Sequence, residues 1–335
     1  MPSIIEGKTT LIVHLQKTVS RKMPVFYNPV MSFNRDMTIA LFNALGRKNL
    51  RIALPLAGSG ARGIRILKET DAAEEVHFND LNPSAVKAIH ENLKTNGLEE
   101  TKEIIVSQKD ANEFFIASPY FDYIDIDPFG SPNPFLNNAI SRLKNEGILA
   151  VTATDTSALC GTHPKACMRK YWAIPNHGPM MHELGLRILI RKVQLVAAQY
   201  SKALLPVIAY AKDHYCRVIF QSEKGKPRTD KMLEQHGMFE NAGPLWLGKL
   251  KDQKVVEKMY AAMPSPFLKT IVDEMDVVGF YDLHALCKKY KLKEIPKLED
   301  VLKKTKGTRT HFCPYGVKTK MDEAAVLGAI KQHAY

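Results

Sequence analysis

The chain has 335 residues, 45% of them hydrophobic, enough for one large or two ordinary domains whose core needs no staples. Lysine and arginine number 47 against 35 acids, a net charge of +12 that favours a polyanionic partner. The 5 cysteines are odd in number, widely spaced and without a CxxC pair, which excludes a disulfide framework and a cysteine zinc site. No apolar run approaches the roughly 18 residues needed to span a bilayer, and the N-terminus lacks a signal-peptide pattern, so a cytoplasmic protein is expected.

In chain order, residues 4–16 predict a short hairpin, with Thr10 to Leu15 following Glu6-Gly7-Lys8. Pro24 to Met31, bracketed by prolines, is expected to be extended, and Asn34-Arg35-Asp36 opens a helix to about Leu45. From Leu50 the pattern alternates as in a parallel sheet, with strands near 50–54, 75–79, 103–107, 122–126 and 147–152. Helices are predicted near 61–69, 83–95, 111–117 and 133–144, the second opened by Asn82 as N-cap and Pro83 at the first helical position. Residues 152–165 read as a long loop beside the sheet's C-terminal edge. Leu184, Leu186, Ile188, Leu189, Val193 and Val196 mark the core face of a helix from about His182 to Ser201. Strands at 204–211 and 215–221 bring the sheet to seven.

Glu223 to Arg228 reads as a linker, which divides the chain into 1–224 and 225–335. The second part holds helical patterns near 252–262, 266–276, 281–290, 297–305 and 322–333. Between the last two, Thr308 to Lys318 suggests a hairpin, so that two helices and a basic hairpin resemble a winged-helix unit; a structural cap is the alternative. Residues 285–320 carry eleven Lys or Arg against three acids, a net +8, which is either a phosphate-steering surface or a solvated lysine-rich face.

Gly58-Ser59-Gly60-Ala61-Arg62-Gly63 follows the strand at 50–54 and opens a helix, as a G-x-G-x-x-G nucleotide loop should. Asp80, ending the next strand, is placed to accept hydrogen bonds from ribose hydroxyls. These features suit either a dinucleotide or S-adenosylmethionine, and a plain glycine turn with a solvent-facing Asp is the bland alternative. Asp110, followed by Ala111, can bind an adenine amino group. The run Asp125-Ile126-Asp127-Pro128-Phe129-Gly130-Ser131-Pro132 separates the two cofactors, since a dehydrogenase has no general need of an acid-Pro-aromatic element there. An amino-methyltransferase does. The exocyclic amine of a base is a poor nucleophile because its lone pair is delocalised into the ring. The Asp127 carboxylate and a carbonyl of Asp127 or Pro128 can bond both amine hydrogens, favour a pyramidal nitrogen and take up the departing proton. Pro128 fixes the backbone and Phe129 can stack on an extruded base. Without that run, Asp127-Pro128 would be an ordinary strand-end turn. Lys165, Arg169 and Lys170, near Tyr171 and Trp172, form either a phosphate-contacting patch or a solvated loop.

The chain resembles the tRNA guanine-N2 dimethyltransferases acting at tRNA position 26, in their archaeal type. The resemblance rests on Val25 to Pro29 with Asn34-Arg35-Asp36, Gly60 to Arg65, Asn79-Asp80, Asp125 to Pro132, Val151 to Asp155 and Cys160-Gly161 with His163 to Cys167. It continues through Lys212 to Tyr215, Gly243 to Gly248 and Thr308 to Phe312. It implies a class I S-adenosylmethionine-dependent methyltransferase, a Rossmann-like α/β fold with a seven-stranded sheet and a smaller α+β C-terminal domain that positions tRNA. It further implies that Arg35, Arg62, Asp80, Asp110 and Ala111, beside the loop glycines Gly58 and Gly60, contact S-adenosylmethionine. Asp127, with Pro128 and Phe129, is then catalytic, and Phe26 joins Phe129 in holding the guanine. Two departures stand out. Arg51-Ile52-Ala53-Leu54-Pro55 lacks the acid usual in the family's first strand, and the cysteine-rich zinc insert of some relatives is missing. The missing insert predicts no metal, and the enzyme is expected to be a monomer making one or two transfers. An NAD-dependent oxidoreductase and a non-catalytic RNA-binding protein on the same scaffold are the rivals.

Overall fold

In a computed structural model that describes residues 2–13, 25–98 and 103–331, a seven-stranded sheet forms the centre of the protein. An antiparallel hairpin, β1 (Ser3–Glu6) and β2 (Thr9–Ile12), precedes it, and residues 14–16 of the predicted hairpin lie outside the described residues. Helix α1 (Ser32–Leu45) follows a short 3-10 turn at Pro29–Met31, so the segment expected to be extended already turns before the helix. The alternation then runs β3 (Leu50–Leu54), α2 (Ala61–Glu69), β4 (Ala73–Asn79), α3 (Pro83–Thr95), β5 (Ile104–Ser107), α4 (Ala111–Ala117), β6 (Phe121–Ile126), α5 (Asn133–Arg142) and β7 (Leu143–Ala153). Local chemistry sets the helix starts. Asn82 accepts from Ser84 N with Pro83 behind it, and Asp110 accepts from Asn112 N.

The stretch expected to be a long loop folds instead into α6 (Thr156–Leu159) and α7 (Pro164–Tyr171), because Ala158, Leu159, Cys167 and Tyr171 find cover in the core. Helix α8 (Met181–Ala198) leads into β8 (Lys202–Lys212) and β9 (Tyr215–Lys224). The sheet order is β5-β4-β3-β6-β7-β9-β8, with β9 antiparallel to both neighbours and the other pairs parallel. The chain winds outward from β3 through β4 to β5, then returns to β6 on the other side of β3. That reversal opens a crevice at the carboxyl ends of β3 and β6, where open α/β sheets place ligands. Helices cover both faces, one core lying under α4, α5 and α8 and the other under α1, α2 and α3. Strands such as Ile148–Ala153 are accordingly buried at every residue.

The segment Glu223 to Arg228, expected to be a linker, is not one. Strand β9 runs to Lys224 and α9 (Lys226–Leu233) begins after Gly225. Strands β10 (His236–Phe239) and β11 (Ala242–Trp246) put Leu245 and Trp246 into the first core, and α10 (Gln253–Ala262) and α11 (Pro266–Asp273) put Met259 and Leu268 into the second. A separate small core begins later, around Leu283, Val301, Val317 and Val326. It lies among β12 (Tyr281–Asp282), α12 (Leu283–Lys289), α13 (Leu298–Thr305), β13 (Thr308–Thr310), β14 (Cys313–Lys318) and α14 (Glu323–Lys331). The three strands pair in the order β12-β14-β13. Buried charge joins this unit to the sheet: Glu183 on α8 accepts from Arg187 Nε and Lys318 Nζ, each at 3.0 Å. Lys318 thus leaves the basic tract's surface, whereas Lys288, Lys291, Lys293 and Lys306 are exposed. No helix among the described residues is long and apolar enough to cross a membrane, and all five cysteines are free.

Candidate active site

The glycine loop leaves β3 at the crevice and is shaped by two left-handed glycines, Gly58 at φ +56° and Gly60 at φ +80°. A Cβ on Gly58 would stand 3.0 Å from the Phe26 carbonyl oxygen, so the glycine loop and the Phe26 segment meet there without room for a side chain. Asp80, at the end of β4, receives Gly58 N at 2.8 Å on one oxygen and Asn82 N at 3.0 Å on the other. The acid therefore braces the loop, and each oxygen keeps a further lone pair for a ligand hydroxyl.

From the end of β6 come two acids with different surroundings. Asp125 is buried and receives a two-pronged pair from Arg217, Nη1 at 2.7 Å and Nη2 at 2.6 Å, with the Tyr123 hydroxyl at 2.6 Å. Burial alone would raise the Asp125 carboxyl, but the Arg217 and Arg62 guanidiniums outweigh it and hold its pKa below the ordinary value. Asp127 projects into the crevice, its side chain 22% exposed, and accepts from Arg62 Nη2 at 2.6 Å. Arg62 Nε lies 3.3 Å from Asp125, and Arg62 Nη1 donates to Thr38 Oγ1 at 2.7 Å. One guanidinium from the start of α2 thus spans both acids.

Pro128 is buried behind Asp127, and the Phe129 ring meets Phe26 edge to face with centroids 4.3 Å apart. Gly130 donates to Thr154 Oγ1 at 2.6 Å and accepts from Thr154 N at 2.9 Å, fastening the loop to the end of β7. Two cavities meet at Phe26, Gly58 and Asp127. A narrow one of about 50 Å³ reaches Arg35, Arg62 and Asp125, and a wide one of about 520 Å³ is lined by Asp80, Phe129, Ser131, Phe135 and Lys170.

Gly58, Arg62, Asp80, Asp127, Pro128, Phe129, Phe26 and Arg35 therefore all line one connected crevice. Asp110 and Ala111 line neither cavity; Asp110 caps α4 and Ala111 is buried. Arg35 is already engaged, its Nε and Nη2 each 2.6 Å from the Glu6 carboxylate. Glu6 also receives Tyr27 and Arg65, and although burial raises its pKa, Arg35 first and then Tyr27 and Arg65 bring it down to about 2. In β3, Ala53 is fully buried in mid-strand, while Arg51 pairs with Glu75. Sequence reading missed Glu6, Thr38, Arg217 and Thr152, whose Oγ1 accepts from Arg217 Nη1 at 2.8 Å. The only local signal was Arg217 as a charged residue inside the apolar first half of the strand, Tyr215 to Phe220. Among the described residues no group of three or more His, Cys, Asp or Glu side chains could hold a metal ion.

The family model for N2,N2-dimethylguanosine tRNA methyltransferases matches residues 7–241 and 236–331. A Pyrococcus furiosus protein named tRNA (guanine(26)-N(2))-dimethyltransferase is 40% identical, over 94% of this chain and 94% of its own. An Aquifex aeolicus protein named tRNA (guanine(26)-N(2)/guanine(27)-N(2))-dimethyltransferase is 37% identical, over 99% of this chain and 96% of its own. The solved structure of Trm1 from Pyrococcus horikoshii in complex with S-adenosyl-L-methionine superposes with a TM-score of 0.90 at 35% identity, covering 98% of this chain and all of that one.

Proposed function

The chain belongs to the N2,N2-dimethylguanosine tRNA methyltransferase family, and we propose that it transfers one or two methyl groups from S-adenosylmethionine to the exocyclic N2 of guanine 26 in tRNA. The observation that carries this reading is Asp127, held by Arg62 where the two cavities meet beside the Phe26–Phe129 pair. Neither an oxidoreductase nor a non-catalytic scaffold is favoured by the relatives.

The crevice suits the cofactor: the loop at Gly58 has no side chain to obstruct it, and Asp80 faces a cavity of about 520 Å³ with acceptor capacity to spare. S-adenosylmethionine supplies an electrophilic methyl group when bound. Asp80, Gly58 and Gly60 would hold its ribose side, Arg35 and Arg62 the remaining end, and Asp110 and Ala111, though outside both cavities, its adenine. Phe26 and Phe129 part to hold the extruded guanine, paying for the broken ring contact with base stacking. Asp127 Oδ1 and a carbonyl of Asp127 or Pro128 accept the two amine hydrogens, which turns the nitrogen lone pair out of conjugation. After transfer the nitrogen carries one proton too many, and Asp127 takes it. A second transfer uses the one hydrogen left on the monomethylated amine, which Asp127 accepts and then takes as a proton, while the first methyl group needs room where the other hydrogen was bound. The sheet and the elements packed on it do this chemistry, and the C-terminal unit from about Leu283, winged-helix-like and carrying the exposed lysines, positions the tRNA. The protein acts as a cytoplasmic monomer.

Incubation with labelled S-adenosylmethionine and unmodified tRNA, followed by mapping of the methylated nucleoside, tests the reading. The expected product is N2-methylated and N2,N2-dimethylated guanine at position 26; label on another base, or none, overturns it.

A further inference from the structure

Helix α7 has two chemically opposite faces. Cys167 and Tyr171, four residues apart, are buried. Tyr171 is fixed to the catalytic loop, its hydroxyl donating to Asp155 Oδ1 at 2.6 Å and lying 3.1 Å from Ser131 Oγ. Lys170 donates to Asp155 Oδ2 at 3.0 Å and lines the wide cavity alongside Asp127. The other face carries Lys165, Met168, Arg169 and Trp172, all exposed, at the i, i+3, i+4 and i+7 spacing of one helical stripe.

Trp172 ends the helix at φ 56° and ψ 42°, the left-handed region where glycine is the usual residue and a bulky side chain is out of place. Its N–H donates to Met168 O at 3.2 Å and its carbonyl accepts from Arg191 Nη1 at 3.4 Å. The Lys192 ammonium, on a largely buried side chain, stands 3.1 Å from the indole centroid and supports the ring from α8. The indole nevertheless remains 54% exposed. A held aromatic surface, contacted by Arg191 and Lys192 and sharing its helical stripe with Lys165 and Arg169, is built to stack a base and attract phosphates rather than to bury against protein.

We propose that Trp172 and the basic stripe of α7 form a stacking platform for the RNA that flanks the target guanine, one unpaired base lying on the indole and neighbouring phosphates on Lys165 and Arg169. Its link to Ser131 and Asp155 through Tyr171 and Lys170 sets the platform in fixed relation to Asp127. This inference rests on the reading that tRNA is the substrate.

The protein's 2 tryptophans make the test direct, because Trp246 is 2% exposed in the core and Trp172 lies on the surface. Titration with unmodified tRNA under tryptophan-selective excitation should give a saturable quench, absent in Trp172→Phe, whose KM for tRNA stays near wild type because phenylalanine still stacks. Trp172→Ala and the Lys165→Glu, Arg169→Glu double variant should raise the KM for tRNA about tenfold, with kcat and S-adenosylmethionine affinity unchanged. A wild-type KM in Trp172→Ala, or an undiminished quench in Trp172→Phe, overturns the platform. Wild-type protein that methylates no tRNA would instead sink the functional reading itself.

Discussion

Arg62 Nη2 lies 2.6 Å from Asp127 Oδ2, and the same guanidinium reaches Asp125 through Nε at 3.3 Å. The first turn of the helix behind the glycine loop is thereby tied to the strand end that carries the proposed catalytic acid. The glycine loop's helix and this carboxylate therefore cannot shift independently.

Asp127→Asn retains the shape of the side chain but removes the base. Methyl transfer from labelled S-adenosylmethionine to tRNA should fall by roughly a hundredfold or more, while calorimetry finds cofactor affinity near wild type. Retained turnover would exclude Asp127 from the chemistry.

If Arg62 acts by holding Asp127, removing both should cost little more than removing Asp127 alone. Arg62→Met should lower kcat, and Arg62→Met with Asp127→Asn should match Asp127→Asn within about half a kcal/mol of transition-state energy. Independent, additive losses would show that Arg62 contributes through another route, such as cofactor contact alone.

Glu6 gives a prediction in pH. Its folded pKa of about 2 lies below the ordinary 4.5 of an unfolded glutamate. Its contribution is therefore complete above pH 4.5 and is lost as pH falls toward 2, because the unfolded chain takes up the proton first. Urea midpoints measured across that window should fall less steeply for Glu6→Gln than for wild type. Parallel curves would mean that the Arg35 and Arg65 pairs do not stabilise the fold.

The exposed lysines of the C-terminal unit are tested by salt. Replacing Lys291, Lys293 and Lys306 by Gln should weaken tRNA binding and reduce the slope of log affinity against log salt by up to about three. Deletion of this region is a poorer probe, because it would strip Lys318 from the buried Glu183. A slope equal to wild type would leave the tract a solvated face.

Much of this architecture is legible in the chain because it is encoded locally. Gly60, Asn82-Pro83 and Asp110 mark the starts of α2, α3 and α4, and apolar runs between them mark the strands, so element order and the carboxylates at strand ends follow from short-range chemistry. The sequence alone likewise places the glycine loop and the Asp127-Pro128-Phe129 run at one sheet edge. Tertiary structure decided which charges neutralise each other. Arg217 meets Asp125 across 92 residues only because β9 inserts antiparallel between β7 and β8, and Glu6 reaches Arg35 and Arg65 only because the N-terminal hairpin folds over α2. It also turned Glu223 to Arg228 from an apparent linker into strand and helix, and set Trp172 on Lys192. Periodicity and turn chemistry act over a few neighbouring residues, whereas burial and desolvation depend on neighbours that strand order alone brings together.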